Sequence, residues 1–79
     1  MADLEAEREH LARADRDIAA GERRISAQEL LIERLRRDGH DTGEAERLLV
    51  TLQQSLETWR GHRDLILQAI DRLERTPPR

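Results

Sequence analysis

Branched apolar residues recur every seven positions along the first half of the chain. They are Leu4, Leu11, Ile18, Ile25 and Ile32. A second line, three positions further on each time, is mostly small or polar and consists of Glu7, Ala14, Gly21, Gln28 and Leu35. Alternating spacings of three and four are typical of a coiled-coil helix. The pattern predicts a first helix over about residues 3–38, roughly 50 Å long.

The second half of the chain repeats the same alternation with larger side chains. Its seam consists of Ala45, Leu49, Leu52, Leu56, Trp59, Arg63, Ile66, Ile70 and Leu73. Arg63 is the one break in this apolar line, and His62 stands beside it. The pattern predicts a second helix over about residues 42–75, with gentle left-handed supercoiling of the pair.

Between the two patterns lie signals for stopping one helix and starting another. Gly39 suits the left-handed residue just beyond a helix end. Asp41 is placed to cap the next helix, and Glu44, three residues on, to complete a capping box. These signals leave room only for a turn over about residues 39–41, so the helices are antiparallel neighbours. One unbroken helix is disfavoured, because it would hold two glycines of this segment in its interior.

The fold class expected is therefore all-α, an antiparallel two-helix hairpin forming a single domain over residues 1–79. The second helix stops because Pro77 disfavours helical geometry at Thr76, and the tail Thr76–Arg79 is expected to fray. Folding about residue 40 makes facing residue numbers add to about 80. The hairpin packing is thereby assigned to three facing pairs: Gly21 with Trp59, Ile25 with Leu56, and Ile32 with Leu49.

Six apolar residues lie outside or beside the two seams. They are Leu30, Leu31, Leu48, Val50, Leu65 and Leu67. Two helices cannot cover both flanks of so wide a stripe, and soluble proteins avoid exposing such residues together. They are interpreted as an interface with a second hairpin, most simply in a homodimer that forms a four-helix bundle, or with another protein. Whether two hairpins would pair parallel or antiparallel, or in a higher oligomer, stays open.

Composition narrows the class of protein. The chain is 39% charged with a net charge of -3, all 14 of its basic residues are arginine, and cysteine is absent. Disulfides, zinc fingers and thiol catalysis are thereby excluded. The interspersed charges argue against a dedicated nucleic-acid binder. No apolar run approaches the ~20 residues of a membrane span, and Met1–Glu5 does not read as a signal peptide, so a cytoplasmic protein is expected.

Candidate chemistry is sparse. His10 and His62 stand on different helices at non-facing positions, and His40 sits in the turn beside acids that have capping roles. Glu7 three residues before His10 matches the spacing of di-iron bundles, but the second helix lacks a counterpart. We therefore expect no catalytic, cofactor-binding or metal-binding residues, and no small-molecule substrate.

Asp17, His62 and Arg63 form a candidate polar layer across the hairpin. Asp17 faces Arg63 by the pairing rule, and such a layer fixes helix register or partner choice. The alternative, that Arg63 only extends its aliphatic stem over neighbouring isoleucines, is equally consistent with the sequence.

A cluster of arginines at the turn end is a candidate phosphate-binding patch. Its members are Arg34, Arg36, Arg37 and Arg47, with His40 nearby. Nucleic-acid binders often add aromatic residues or a dedicated motif, which this patch lacks.

Three stretches, residues 14–25, 31–42 and 62–67, resemble short uncharacterised helical-hairpin proteins of alphaproteobacteria, notably rhizobia. The most specific parts are Gly21-Glu22-Arg23-Arg24 and Asp38-Gly39-His40-Asp41-Thr42. This resemblance implies a bacterial cytoplasmic origin and carries no function. In shape alone the chain is similar to the Rop-type hairpin dimer, an RNA-binding regulator.

The function expected from the sequence is a non-enzymatic oligomerisation or protein-interaction module that acts through a helical surface. The alternative is a small Rop-like nucleic-acid-binding regulator that uses the turn-end arginines.

Overall fold

The computed structural model describes residues 3–75 and shows two long helices folded back on each other. α1 spans Leu4–Arg37 and α2 spans Gly43–Arg75, in a rod of 67 × 17 × 15 Å. Contacts between α1 and α2 are extensive, so the all-α helical hairpin is confirmed. The tail expected to fray, Thr76–Arg79, lies outside the described residues.

α1 begins at Leu4, one residue later than predicted, because Asp3 serves as its cap. The backbone of Asp3 is extended, with φ -120° and ψ 164°, and its side chain turns back toward the helix. Asp3 Oδ1 accepts a hydrogen bond from the Ala6 amide at 2.7 Å. This bond satisfies one of the free amides at the helix start, where negative charge is also favoured by the helix dipole.

α1 ends at Arg37 in a Schellman motif centred on Gly39. Gly39 has φ 76°, the left-handed conformation predicted from the sequence. The His40 amide donates to the Leu35 carbonyl at 2.8 Å, and the Gly39 amide donates to the Arg36 carbonyl at 3.1 Å. These two bonds satisfy carbonyls that the helix end would otherwise leave free.

α2 begins at Gly43 rather than at residue 42, which changes the role of Asp41. Asp41 Oδ1 still accepts from the Gly43 amide at 3.0 Å, so the carboxylate does help to start α2. Thr42, however, is the residue directly before the helix, and its carbonyl accepts from the Glu46 amide. The third helical residue is then Ala45, so Glu44 does not have the spacing of the predicted capping box.

The core between the helices is thin. Within residues 3–75, the buried apolar residues are Ala14, Ile32, Leu56 and Ile66, and each keeps a few per cent of its surface exposed. Ile25 and Leu49, which the sequence also placed in the hairpin packing, are partly buried. Full burial of an Ile or Leu side chain stabilises by about 1.5–3 kcal/mol, so this core leaves the single hairpin marginal.

The prediction that Gly21 faces Trp59 is wrong. A Cβ atom on Gly21 would lie 3.4 Å from Leu56 Cδ1, with nothing else within 4 Å. Trp59 is instead 43% exposed. The pairing rule fails here because a side chain of one helix inserts between residues of the other, and the facing number shifts by up to a turn. Leu56 takes the space above Gly21, and the indole lies over the side of the hairpin.

Candidate interaction surface

One long side of the hairpin is closed by ion pairs between α1 and α2. The four pairs are Arg8–Glu74, Asp15–Arg63, Glu22–Arg60 and Arg36–Glu46. Their α1 members share one line of the heptad repeat, directly beside the branched apolar line. We call this side the ion-pair edge. Exposed pairs of this kind contribute about 0–1 kcal/mol each, so their main effect is to set the register of the helices.

These four pairs all lie on that one side, and the opposite side carries a row of grooves. We call it the groove edge and define it by two lines of residues at heptad spacing: His10, Asp17, Arg24 and Leu31 on α1, and Leu48, Ser55 and His62 on α2. The grooves lie beside the α1 seam line of Ala14, Gly21 and Gln28, whose small or polar side chains leave this side of the seam open to solvent.

The central groove, about 370 Å³, lies at the middle of the rod. It is lined by Asp17, Ala20, Gly21, Arg24, Leu52, Ser55, Leu56 and Trp59. A smaller groove of about 100 Å³ continues it toward the chain ends, and the two share Asp17 and Trp59. A third, of about 420 Å³ near the turn, brings Leu31 and Leu48 together. The groove edge therefore carries three depressions along its length, each lined by a mixture of apolar and polar or charged residues.

The ion-pair edge also has a depression, of about 470 Å³, with a different lining. Four of its five lining residues are charged, namely Glu57, Arg60, Arg63 and Asp64, beside Ile18. Glu57, Arg60 and Arg63 already take part in ion pairs within the hairpin. The grooves of the other side are bordered instead by the exposed Leu31, Leu48 and Trp59. The groove edge is the better candidate for an interaction surface.

All six residues predicted to form an interface are exposed, as expected for one hairpin, but they do not form one patch. Leu31 and Leu48 share the turn-end groove. Leu65 follows His62 by one helical turn and borders the groove edge on α2. Leu67 follows Arg60 by one heptad on the ion-pair edge. The two others, Leu30 and Val50, fall outside both defining lines, and Trp59 joins the exposed set instead.

The predicted polar layer of Asp17, His62 and Arg63 does not form. Arg63 Nε donates to Asp15 Oδ1, so the partner of Arg63 is Asp15 and not Asp17. Asp17 lies in the central groove on the other side of the hairpin. His62 packs edge-to-face on Trp59, with ring centroids 6.5 Å apart. The layer fails because Arg63 reaches toward the ion-pair edge while Asp17 and His62 belong to the groove edge.

The turn-end arginines are exposed, but acids are interleaved with them. Arg36 pairs with Glu46 at 3.2 Å. Five acidic residues share the stretch 33–47 with the four arginines Arg34, Arg36, Arg37 and Arg47. The stretch therefore has no net positive charge, and a phosphate backbone would meet carboxylates as well as guanidinium groups there.

The described residues offer little for other chemistry. Residues 3–75 contain no cluster of three or more His, Asp or Glu side chains arranged to hold a metal ion. His10 and His62 border the same small groove despite their non-facing positions. Within the same range, neither helix has a stretch apolar enough to cross a membrane.

Sequence reasoning missed both edges as units. The signal was present in the heptad lines beside the seam, since Arg8, Asp15 and Glu22 recur every seven residues opposite Glu74, Arg63 and Arg60.

Comparison of the chain with models of protein families, with curated proteins and with solved structures finds no match.

Proposed function

We propose that this chain is a non-enzymatic oligomerisation module whose groove edge binds a second helical hairpin, most simply in a homodimer. The carrying observation is the difference between its two long edges. One edge is closed by ion pairs within the hairpin, and the other exposes Leu31, Leu48 and Trp59 around open grooves. Apolar side chains around a groove gain free energy when a partner removes them from water.

The exposed area supports the same proposal. The chain of 9.2 kDa exposes 6403 Å². A compact monomer of this mass exposes about 4,900 Å² on average. The excess of about 1,500 Å² per chain is larger than the ~800 Å² that each partner contributes to a standard interface. A second hairpin on the groove edge would give this thin rod the proportions of a four-helix bundle.

We expect sedimentation equilibrium of the purified chain at micromolar concentration to give about twice the chain mass of 9.2 kDa. A folded monomer persisting at about 100 µM would contradict the self-association proposal, since marginal hairpins gain their stability by mass action.

Two adjacent leucines provide a matched test of the surface. Leu31 lies in the turn-end groove, and Leu30 is exposed outside both edges. Leu31→Glu should weaken the dimer by tenfold or more, about 1.4 kcal/mol, because it places a carboxylate in the interface. Leu30→Glu should leave the dimer unchanged. Equal effects of the two substitutions would show that the groove edge is not the interface.

The proposal includes a bacterial, cytoplasmic setting. A cysteine-free chain needs no oxidising compartment to reach its fold. The nucleic-acid alternative has weaker support, because acids are interleaved with its arginines.

A further inference from the structure

Asp17 and Arg24 are two charged residues of the groove edge without a partner in the hairpin. They lie one heptad apart on α1 and line the same central groove. Among residues 3–75 neither takes part in an ion pair or hydrogen bond, whereas Asp15 and Glu22 on the ion-pair edge both do. The groove edge thus presents one free negative and one free positive charge at a fixed separation.

Between these two charges the groove wall is made of the smallest residues. Ala20 and Gly21 line the groove midway between Asp17 and Arg24. Without larger side chains there, another helix can approach the α1 backbone closely. A twofold axis through this point, perpendicular to α1, lays α1 of a second copy antiparallel across it. Asp17 of each copy then faces Arg24 of the other, as a self-complementary twofold interface requires.

We infer that the occupant of the groove edge is a second copy of this chain, bound antiparallel about Ala20–Gly21, an inference that rests on the proposed function. The two turns then lie at opposite ends of the assembly. Trp59 lies near the level of the axis, because it shares the central groove with Ala20 and Gly21. Its exposed ring is covered by the corresponding region of the second copy.

The same axis also matches the apolar ends of the hairpin. Leu48 and Ala69 lie about equally far from Trp59 on its two sides. Antiparallel pairing therefore brings Leu48 of each copy over Ala69 of the other, with exposed Leu65 beside it. Both apolar regions of α2 are then removed from water.

A parallel pair, with both turns at one end, is less consistent with the charges. It would hold Asp17 level with Asp17 of the second copy and Arg24 level with Arg24. Like charges at the same level repel, and Leu65 would face the charged start of α1 instead of Leu48.

The absence of native cysteine permits a direct test by disulfide trapping. In Ala20→Cys, the two thiols lie beside the twofold axis, where helices in close contact reach disulfide distance. We expect rapid formation of a covalent dimer on mild oxidation. Arg23→Cys, on the outward face of the same helix, is the control and should stay monomeric under denaturing conditions.

Spin labels at the turn provide an independent measurement. With His40→Cys, the antiparallel pair separates the two labels by about 58 Å, given the helical rise on either side of the axis. The parallel pair would hold them within about 20 Å, as two adjacent helix ends require. A short distance in a dimer overturns the inferred arrangement and leaves the proposed function standing.

Charge exchange tests the contact itself. Asp17→Arg and Arg24→Asp should each raise the dimer Kd by about tenfold or more, because each creates two repulsive pairs by symmetry. The double variant restores both pairs and should return Kd to within about threefold of the starting value. If the chain dimerises but the double variant does not restore Kd, or Ala20→Cys does not cross-link, the antiparallel register is overturned and the proposed function still stands. A monomer at all concentrations overturns the proposed function as well.

Discussion

Gly21 of α1 lies directly against Leu56 of α2, so that a methyl group on Gly21 would stand 3.4 Å from Leu56 Cδ1. This is an ordinary contact distance, so alanine fits without moving its neighbour. A larger side chain would meet Leu56, which is buried at the centre of the thin core. This contact helps to define the axial register of α1 relative to α2 at the middle of the rod.

Substitutions of Gly21 should therefore have opposite effects. Gly21→Ala should stabilise the fold by about 0.5 kcal/mol, because alanine is the better helix former. Gly21→Leu should destabilise it by about 1–3 kcal/mol through overpacking against Leu56. Chemical denaturation at one fixed protein concentration compares both variants with the parent chain. A higher midpoint for Gly21→Leu would mean that Gly21 does not lie against Leu56.

Two other glycines form a matched pair for backbone conformation. Gly39 has φ 76° at the end of α1, whereas Gly61 lies within α2, and a Cβ atom would meet nothing within 4 Å at either position. Gly39→Ala should cost about 1–2 kcal/mol, because the left-handed conformation strains any Cβ. Gly61→Ala should stabilise by about 0.5–1 kcal/mol. Since neither substitution creates a clash, the difference between their thermal unfolding midpoints reports the cost of the backbone conformation at Gly39. Equal effects of the two substitutions would contradict the left-handed conformation of Gly39.

Double-mutant cycles can test which of two aspartates, Asp15 or Asp17, pairs with Arg63. Arg63 pairs with Asp15 on the ion-pair edge, while Asp17 lies on the groove edge. Cycles that combine Arg63→Gln with Asp15→Asn should give a coupling energy of about 0.5 kcal/mol, decreasing with salt. Cycles that combine Arg63→Gln with Asp17→Asn should give no coupling energy, because a cycle isolates the pairwise interaction and Arg63 pairs with Asp15 instead. The reverse outcome would restore the polar layer expected from the sequence.

Nucleic-acid binding should be weak and insensitive to the turn-end arginines. At about 150 mM salt we expect no affinity for structured RNA or duplex DNA beyond the non-specific level. Replacing Arg34, Arg36, Arg37 and Arg47 together by glutamine should not change a titration followed by fluorescence anisotropy. Tight binding that falls steeply with salt and disappears in this variant would favour the regulator instead.

Much of the fold follows from local rules that the sequence states directly. The seven-residue repeat of Leu4 through Ile32 defines which face of α1 turns inward. The conformational freedom of Gly39 explains the helix end and its Schellman bonds. Even the exposure of Leu30 and Leu65 in one hairpin was predictable, because two helices cannot enclose so wide an apolar stripe.

The candidate site was less accessible to sequence reasoning. Asp15 and Asp17 are both near enough in number to face Arg63, and Leu56 and Trp59 are both near enough to face Gly21. A heptad repeat determines which face of a helix points inward, but it leaves the sliding of one helix along the other uncertain by about a turn. Arginine and tryptophan side chains are long enough to reach partners about one turn apart, so the sequence does not say which partner they contact.

The sequence by itself determined two amphipathic helices, a tight turn and an antiparallel hairpin with apolar residues left over. Only the tertiary structure decided that Leu56 fills the space at Gly21, that Arg63 turns to Asp15, and that one edge closes while the other stays open. The reason is physical. Helix formation and capping depend on neighbours in the chain, whereas the closing of an edge depends on the axial offset and rotation of two helices, which many weak contacts settle together.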